Sequence, residues 1–295
     1  MFPALVHPAH FHSLASFKEQ PTPAAMQSGQ AGGQAIVHTV AGIAIVSVAG
    51  VTVHRNGAIH PTGGTSSYEG LQIQIQMALD NPDVRGIMLD LNSGGGEVAG
   101  LFDLVDLIYE GRAQKPIWAL IDETGASAAY ALASAAHRIV MPRTAQAGSI
   151  GVVLGHVDMS SAMEKAGLSV TLIHAGARKV DGNQFAPLSA EAKARLQAEV
   201  DQLYSLLTST VARNRAISES AVRNTQAALF TGQHAVKAGL ADEVMASHDA
   251  LQAFYDHLNG QRRPAAPRAH AQQAAAPVSA ERPAFRSLAA KVYGS

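Results

Sequence analysis

The chain has no cysteine among its 295 residues. That excludes disulfides, a cysteine nucleophile, iron–sulfur clusters and thiolate zinc sites, and it fits a reducing compartment. No apolar run approaches the ~18–20 residues that cross a membrane. The first 34 residues also lack the basic start and unbroken apolar stretch of a secretory signal, because Pro3 and Pro8 interrupt them among several histidines. Metal and nucleotide signatures are missing: there is no His-Glu-x-x-His and no glycine-rich loop followed by Lys-Ser/Thr. Gly94-Gly95-Gly96 does not fit G-x-G-x-x-G. His7, His10 and His12 cluster in a proline-containing leader without further ligands, so we read them as solvated. No cofactor and no metal are expected, and no internal repeat is evident.

Charge is scarce, with 15% charged residues and a formal net charge of −1. That balance hides two opposite parts. Residues 1–260 hold 16 basic and 22 acidic residues, whereas 261–295 hold six basic residues against Glu281, a net +5. No global field therefore draws the chain to nucleic acid, which is not an expected partner. The tail, with eleven alanines and several prolines, reads as a disordered tether.

What is present is globular: 47% hydrophobic residues and 26 glycines, with length to bury a core. We expect a flexible leader over 1–34, one folded domain over 35–260 and the basic tail over 261–295. Ala35–Val40 and Ile43–Val48 read as strands and Arg55–Thr65 as a loop. Ser66/Ser67 precede a helix that Asp80-Asn81-Pro82 ends. Val84–Leu91 and Ile117–Ile121 read as buried strands, each followed by a turn (Asn92–Gly96, Asp122–Gly125) and a helix (Val98–Tyr109, Ala126–Ala136). This strand–turn–helix rhythm predicts an α/β domain with parallel strands, whose function collects at the strands' carboxyl ends. Further on we expect strands over Arg138–Met141, Val170–His174 and Leu240–Val244. Helices are expected over Ser160–Ala166, Ser189–Ala216 and Ser218–Leu229. The face of Leu196, Val200, Leu203, Leu207 and Val211 suits either an interface or the core.

Ser127 sits between a strand and a helix. Its hydroxyl would project from the sheet edge, with helix N–H groups behind it facing a developing oxyanion. It reads as a nucleophile or, more plainly, as a helix cap. Gly95 could present a second oxyanion donor or simply serve a tight turn. For the base, His137, His156 and His174 are candidates. So is Lys179, in the loop Gly176–Gly182, although loop lysines are commonly solvated.

Five motifs, in order over about 210 residues, carry a resemblance. Leu91-Asn92-Ser93-Gly94-Gly95-Gly96 is similar to an N-S-P-G-G turn. Ala126-Ser127-Ala128-Ala129-Tyr130 is similar to A-S-G-G/A-Y, and Gly148-Ser149-Ile150-Gly151-Val152 to G-S-I-G-V. Ala175-Gly176-Ala177-Arg178-Lys179 is similar to A-G-x-x-K, and Phe230-Thr231-Gly232 through Asp242 to F-x-G-x-x-A…G-L-x-D. Segment 36–245 thus resembles the signal peptide peptidase A/protease IV serine peptidases of the Clp protease/crotonase superfamily, which include the prohead proteases of tailed phages. The resemblance implies a Clp/crotonase-like α/β fold of repeated ββα units with a C-terminal helical part. It also implies a Ser127–Lys179 dyad, an oxyanion hole from the backbone N–H groups of Gly95 and Ala128, and Ser149 orienting the lysine. Gly94 replaces the usual proline, which loosens the turn, and Ala128 and Ala129 replace commoner glycines.

By the same resemblance the substrate is a peptide or protein. Phage scaffold, portal or capsid proteins are the expected targets, in host cytoplasm or prohead, and a homo-oligomer without membrane anchor is expected, with sites completed across subunits. The alternatives are a soluble bacterial peptidase of the same family and a non-catalytic capsid-assembly component.

Overall fold

A computed structural model describes residues 4–6, 37–56 and 64–260. His7, His10, His12 and the basic tail lie outside the described residues. The first strand, β1 (Ala4–Val6), is followed by β2 (His38–Val40), β3 (Ile43–Val53), β4 (Thr65–Ser67) and helix α1 (Tyr68–Asp80). The hydroxyl of Ser67 accepts the Gly70 N–H at 3.1 Å and so caps α1. Then come β5 (Gly86–Glu97), α2 (Leu101–Gly111), β6 (Ile117–Ala126), α3 (Ala128–Ser134), β7 (Arg138–Met141) and β8 (Gln146–Gly148). The remainder is mainly helical: α4 (Ser160–Lys165), α5 (Ala190–Arg215), α6 (Glu219–Asn224), β9 (Leu229–Thr231), α7 (Gln233–Lys237), β10 (Glu243–Val244) and α8 (Ser247–Leu258).

The main sheet runs β10-β7-β6-β5-β3-β2, parallel except for edge strand β2. Parallel strands are covered on both faces, which explains their near-continuous apolar runs. On one face Val46, Leu89, Leu91 and Ile121 pack against α1, α2 and α3. On the other, Ile45, Met88, Trp118 and Leu120 meet Leu251 and Phe254 of α8, with the Trp118 and Phe254 rings stacked at 4.9 Å.

The three central strands are longer than the sequence suggests, and each breaks register near its carboxyl end. β3 shifts between Ala49 and Val51, and β5 between Leu91 and Ser93. β6 pairs with β7 up to Leu120 and with β8 from Thr124 to Ala126. Each unit is therefore a strand, a bend, a second short strand and a helix, which is the ββα repeat expected. Asn92–Gly96 and Asp122–Gly125 are not tight turns but the outer halves of these strands. Val51 and Thr52 of β3 hold Gly95 and Gly96 extended.

Two further expectations fail. Val170–His174 is β-branched and apolar, yet it forms no strand, and no described strand pairs with it. The helix expected over Ser218–Leu229 stops at Asn224. Helix α8 was not anticipated, although Leu251, Phe254 and Leu258 lie at helical spacing.

Candidate active site

The site grows from the outer halves of β5 and β6. In Asn92-Ser93-Gly94-Gly95-Gly96 each polar side chain clamps a neighbour. Asn92 donates to Glu123 of the β6 bend at 2.8 Å, and Ser93 donates to the Gly50 carbonyl of β3 at 2.6 Å. Ser93 Oγ also accepts the Gly95 N–H at 3.1 Å. Gly95 has φ +99°, where a side chain would be strained. Gly96 lies so close to β3 that a Cβ would stand 1.7 Å from the Thr52 carbonyl oxygen. The segment is a rigid strand edge presenting backbone alone.

Beside it, the Ser93–Gly125 pair is the last between β5 and β6. Two residues later β6 gives way to α3 at Ser127, which is 2% exposed and adopts φ 56°, ψ −119°. That conformation is costly for a residue with a Cβ. The Ser127 N–H donates to the Gly148 carbonyl at 2.8 Å, and its carbonyl accepts from the Ala131 N–H at 3.0 Å. Among the described residues its hydroxyl reaches only the Gly151 carbonyl, at 3.5 Å, and it caps no helix N–H. The cap reading therefore fails on geometry. Buried Ala128 opens α3, so its N–H belongs to the helix's unpaired first turn.

Ser149 follows at once. The Ser127–Gly148 bond brings it beside the serine, and it is 6% exposed with φ 51°. Its N–H donates to the Ala228 carbonyl at 2.9 Å, and its hydroxyl has no partner among the described residues. The structure thus gathers Ser127, Ala128, Ser149 and the Gly95 edge at the carboxyl ends of β5 and β6.

No hydrogen bond among the described residues joins Lys179 to them. It lies in an exposed turn, with no side-chain hydrogen bond or ion pair among the described residues. Asp181, two residues on, receives a bidentate pair from Arg195 at 2.7 and 3.0 Å, which fastens the lysine turn to the first half of α5. The histidines serve elsewhere. His137 Nδ1 accepts the Ile117 N–H at 3.1 Å, at the opposite end of β6 from Ser127. Burial and the nearby Arg112 guanidinium lower its pKa. His156 bonds the Asn183 carbonyl and His174 the Gly176 carbonyl.

Two of the five motifs prove to be partly architectural. Tyr130, fully buried three residues after Ser127, donates to the Leu240 carbonyl at 2.9 Å. Asp242 of the same ending takes two bonds from Arg215 and one from the Ile139 N–H. The C-terminal motif therefore buttresses the serine helix and the neighbouring strand.

With this geometry in view, comparison with known proteins is decisive at the family level. The model of "Peptidase family S49" matches residues 110–260, just over half of the chain. The chain belongs to peptidase family S49. The match contains Ser127, Ser149 and Lys179. The chain is 42% identical over 228 residues to head-tail preconnector protein GP5 of Enterobacteria phage P21, covering 77% of this chain and 46% of that protein. It is 40% identical over 221 residues to capsid assembly protease C of Escherichia phage lambda, covering 75% and 50%. It thus spans about half the length of these relatives. Among solved structures, a ClpP1 mutant from Listeria monocytogenes aligns with TM-score 0.43 and 13% identity, over 70% of this chain and 94% of that one. No described helix of this S49 chain is long and apolar enough to cross a membrane.

Proposed function

We propose that the chain is a serine endopeptidase of phage head maturation, using Ser127 as nucleophile and Lys179 as general base. The observation that carries the reading is Ser127: buried, held in a strained conformation at a strand end, and free of any capping duty. Its hydroxyl attacks a peptide carbonyl as the lysine amine takes its proton. The Ala128 N–H and the Gly95 N–H receive the oxyanion, and the lysine returns the proton to the leaving amine. In the free chain Ser93 Oγ holds the Gly95 N–H, and a charged oxyanion is the stronger acceptor. Ser149, whose hydroxyl has no other partner among the described residues, orients the lysine.

A lysine acts as a base only as the neutral amine, which requires shelter from water. Lys179 has none within the single chain. Between Gly151 and Glu191 no residue is buried, and Val157, Leu168, Val170, Leu172 and Ile173 are exposed there. A second copy of the chain covers this segment in our reading, so that a homo-oligomer completes the site. The names of the two phage relatives support head assembly as the setting; scaffold, portal or capsid proteins are the substrates in our reading.

The test is cleavage of an unstructured protein such as casein by the purified chain. Wild type is expected to cleave, and Ser127→Ala and Lys179→Ala to lose cleavage by at least roughly a thousandfold. Retained cleavage in either variant overturns the dyad. A wild type that cleaves neither casein nor co-expressed head proteins favours a non-catalytic assembly role.

A further inference from the structure

Past the Ser93–Gly125 pair, β5 continues to Glu97 while β6 turns into the serine helix. Its edge towards β3 is filled, since Val51 faces Gly95 and Thr52 faces Gly96. Its other edge, on the Ser127 side, would be a row of unpaired backbone groups, which proteins rarely leave open. Here Ala4–Val6 fills it. Strand β1 pairs antiparallel with β5, setting Ala4 against Glu97, Leu5 against Gly96 and Val6 against Gly95.

The direction matters as much as the place. Reading from Ala4 to Val6, the backbone advances along β5 towards Gly95 and the Ser93–Gly125 pair, from which parallel β6 runs two residues on, in the direction of Gly95, to Ser127. An extended peptide to be cut by Ser127 must do the same: its acyl-side residues add a strand to this edge, and its scissile carbonyl arrives at the oxyanion donors. β-Strand addition supplies affinity through backbone bonds and tolerates many sequences. Gly95 and Gly96 contribute no side chain to obstruct it. Thirty residues separate Val6 from Val37, ample chain for the segment to reach the site and to leave it. Three residues make few strand bonds, so the pairing is weak enough to exchange with another peptide.

We propose that the leader is this enzyme's own substrate, docked as a strand on Gly95–Glu97 for cleavage of the Val6–His7 bond; the proposal rests on the Ser127–Lys179 reading above. Ser127 Oγ bonds to the Val6 carbonyl carbon and its proton passes to the lysine amine. The bond from that carbon to the His7 nitrogen breaks, and the nitrogen takes the proton from the lysine. Water then hydrolyses the Val6 ester, releasing residues 1–6 with a free carboxylate and regenerating the serine. The new chain begins at His7 and the strand site stands open. Cleavage of the leader thereby also unmasks the groove for protein substrates.

Intact-mass measurement and N-terminal sequencing of the full chain, sampled over time after purification, test this alongside casein cleavage by the same samples. Wild type is expected to convert to a product beginning at His7, and Ser127→Ala to keep its leader. Leu5→Pro, which disfavours the pairing of Ala4–Val6 as a strand, should slow leader loss at least tenfold. The proposal is overturned if wild type cleaves casein with its leader intact, if the new terminus is not His7, or if Leu5→Pro is processed at the wild-type rate. Failure to cleave either casein or leader removes the peptidase reading itself, a distinct result.

Discussion

At Ser127 the chain holds a serine where its own backbone favours glycine. The comparison is internal. Gly232 also joins a strand, β9, to a helix, α7, and it adopts φ 47°, ψ −115°, nearly the φ 56°, ψ −119° of Ser127. Where no hydroxyl is needed the position is glycine; at the proposed nucleophile it is not. Such a conformation costs a residue with a Cβ about 1–3 kcal/mol. Ser127→Gly is therefore expected to raise the unfolding free energy in urea by about 1 kcal/mol, part of the relief being offset by the greater freedom of unfolded glycine. The same variant should lose cleavage. Gly96 is the converse case. With a Cβ placed 1.7 Å from the Thr52 carbonyl oxygen, Gly96→Ala must push β5 off β3. Overpacking of this kind costs about 3 kcal/mol, and thermal unfolding should register it.

At the scale of elements, the second face of the sheet carries a pH-dependent penalty. Asp90 on β5 is pushed up to about 6, first by burial and then by the Asp122 carboxylate of β6. The Ser247 hydroxyl of α8 donates to Asp122. Because Asp90 holds its proton more tightly when folded, the unfolded chain ionises first as pH rises. Stability falls between the ordinary carboxylate range near pH 4 and about pH 6, and the loss persists above it. Asp90→Asn, neutral throughout, should gain about 2 kcal/mol at pH 7.5 and almost nothing at pH 3.5, as read from urea unfolding at the two pH values. Much of this architecture is legible in the sequence, because buried parallel strands are apolar runs and helices carry their caps. Val84–Leu91, Ile117–Ile121, the long helix and the place of Ser127 all follow from such local signals. The outer strand halves do not, since a Gly triplet is extended here only because β3 pairs with it. Nor does β1, three residues in a polar leader whose partner lies some ninety positions away. Val170–His174 fails for the reverse reason: it has the side chains of a strand and, among the described residues, no strand to pair with.

At the scale of the whole molecule, the long helix α5 is divided between two tasks. Leu207 and Val211 are fully buried in the main core, whereas Leu196, Val200 and Leu203 nearer its start are only partly covered. The half-covered end carries the Lys179 turn through the Arg195–Asp181 pair. The exposed stretch from Gly151 to Glu191 leads into it, with Ile173 97% exposed. An apolar stretch of this size in water is unfavourable unless something covers it. If a second copy does so, assembly and catalysis share one surface, and a change far from Ser127 should remove both together. Ile173→Asp places an uncompensated charge in that contact. Light scattering should show the wild-type oligomer giving way to a smaller species, and casein cleavage should fall at least roughly tenfold at the same protein concentration. The fold should be spared, because Ile173 belongs to neither core cluster, and its thermal midpoint should stay within the range of ordinary surface substitutions. Raising the concentration of the variant should then restore oligomer and cleavage in step, since mass action acts on the contact and not on the serine. Cleavage that stays lost while the oligomer returns would assign Ile173 to the substrate path instead.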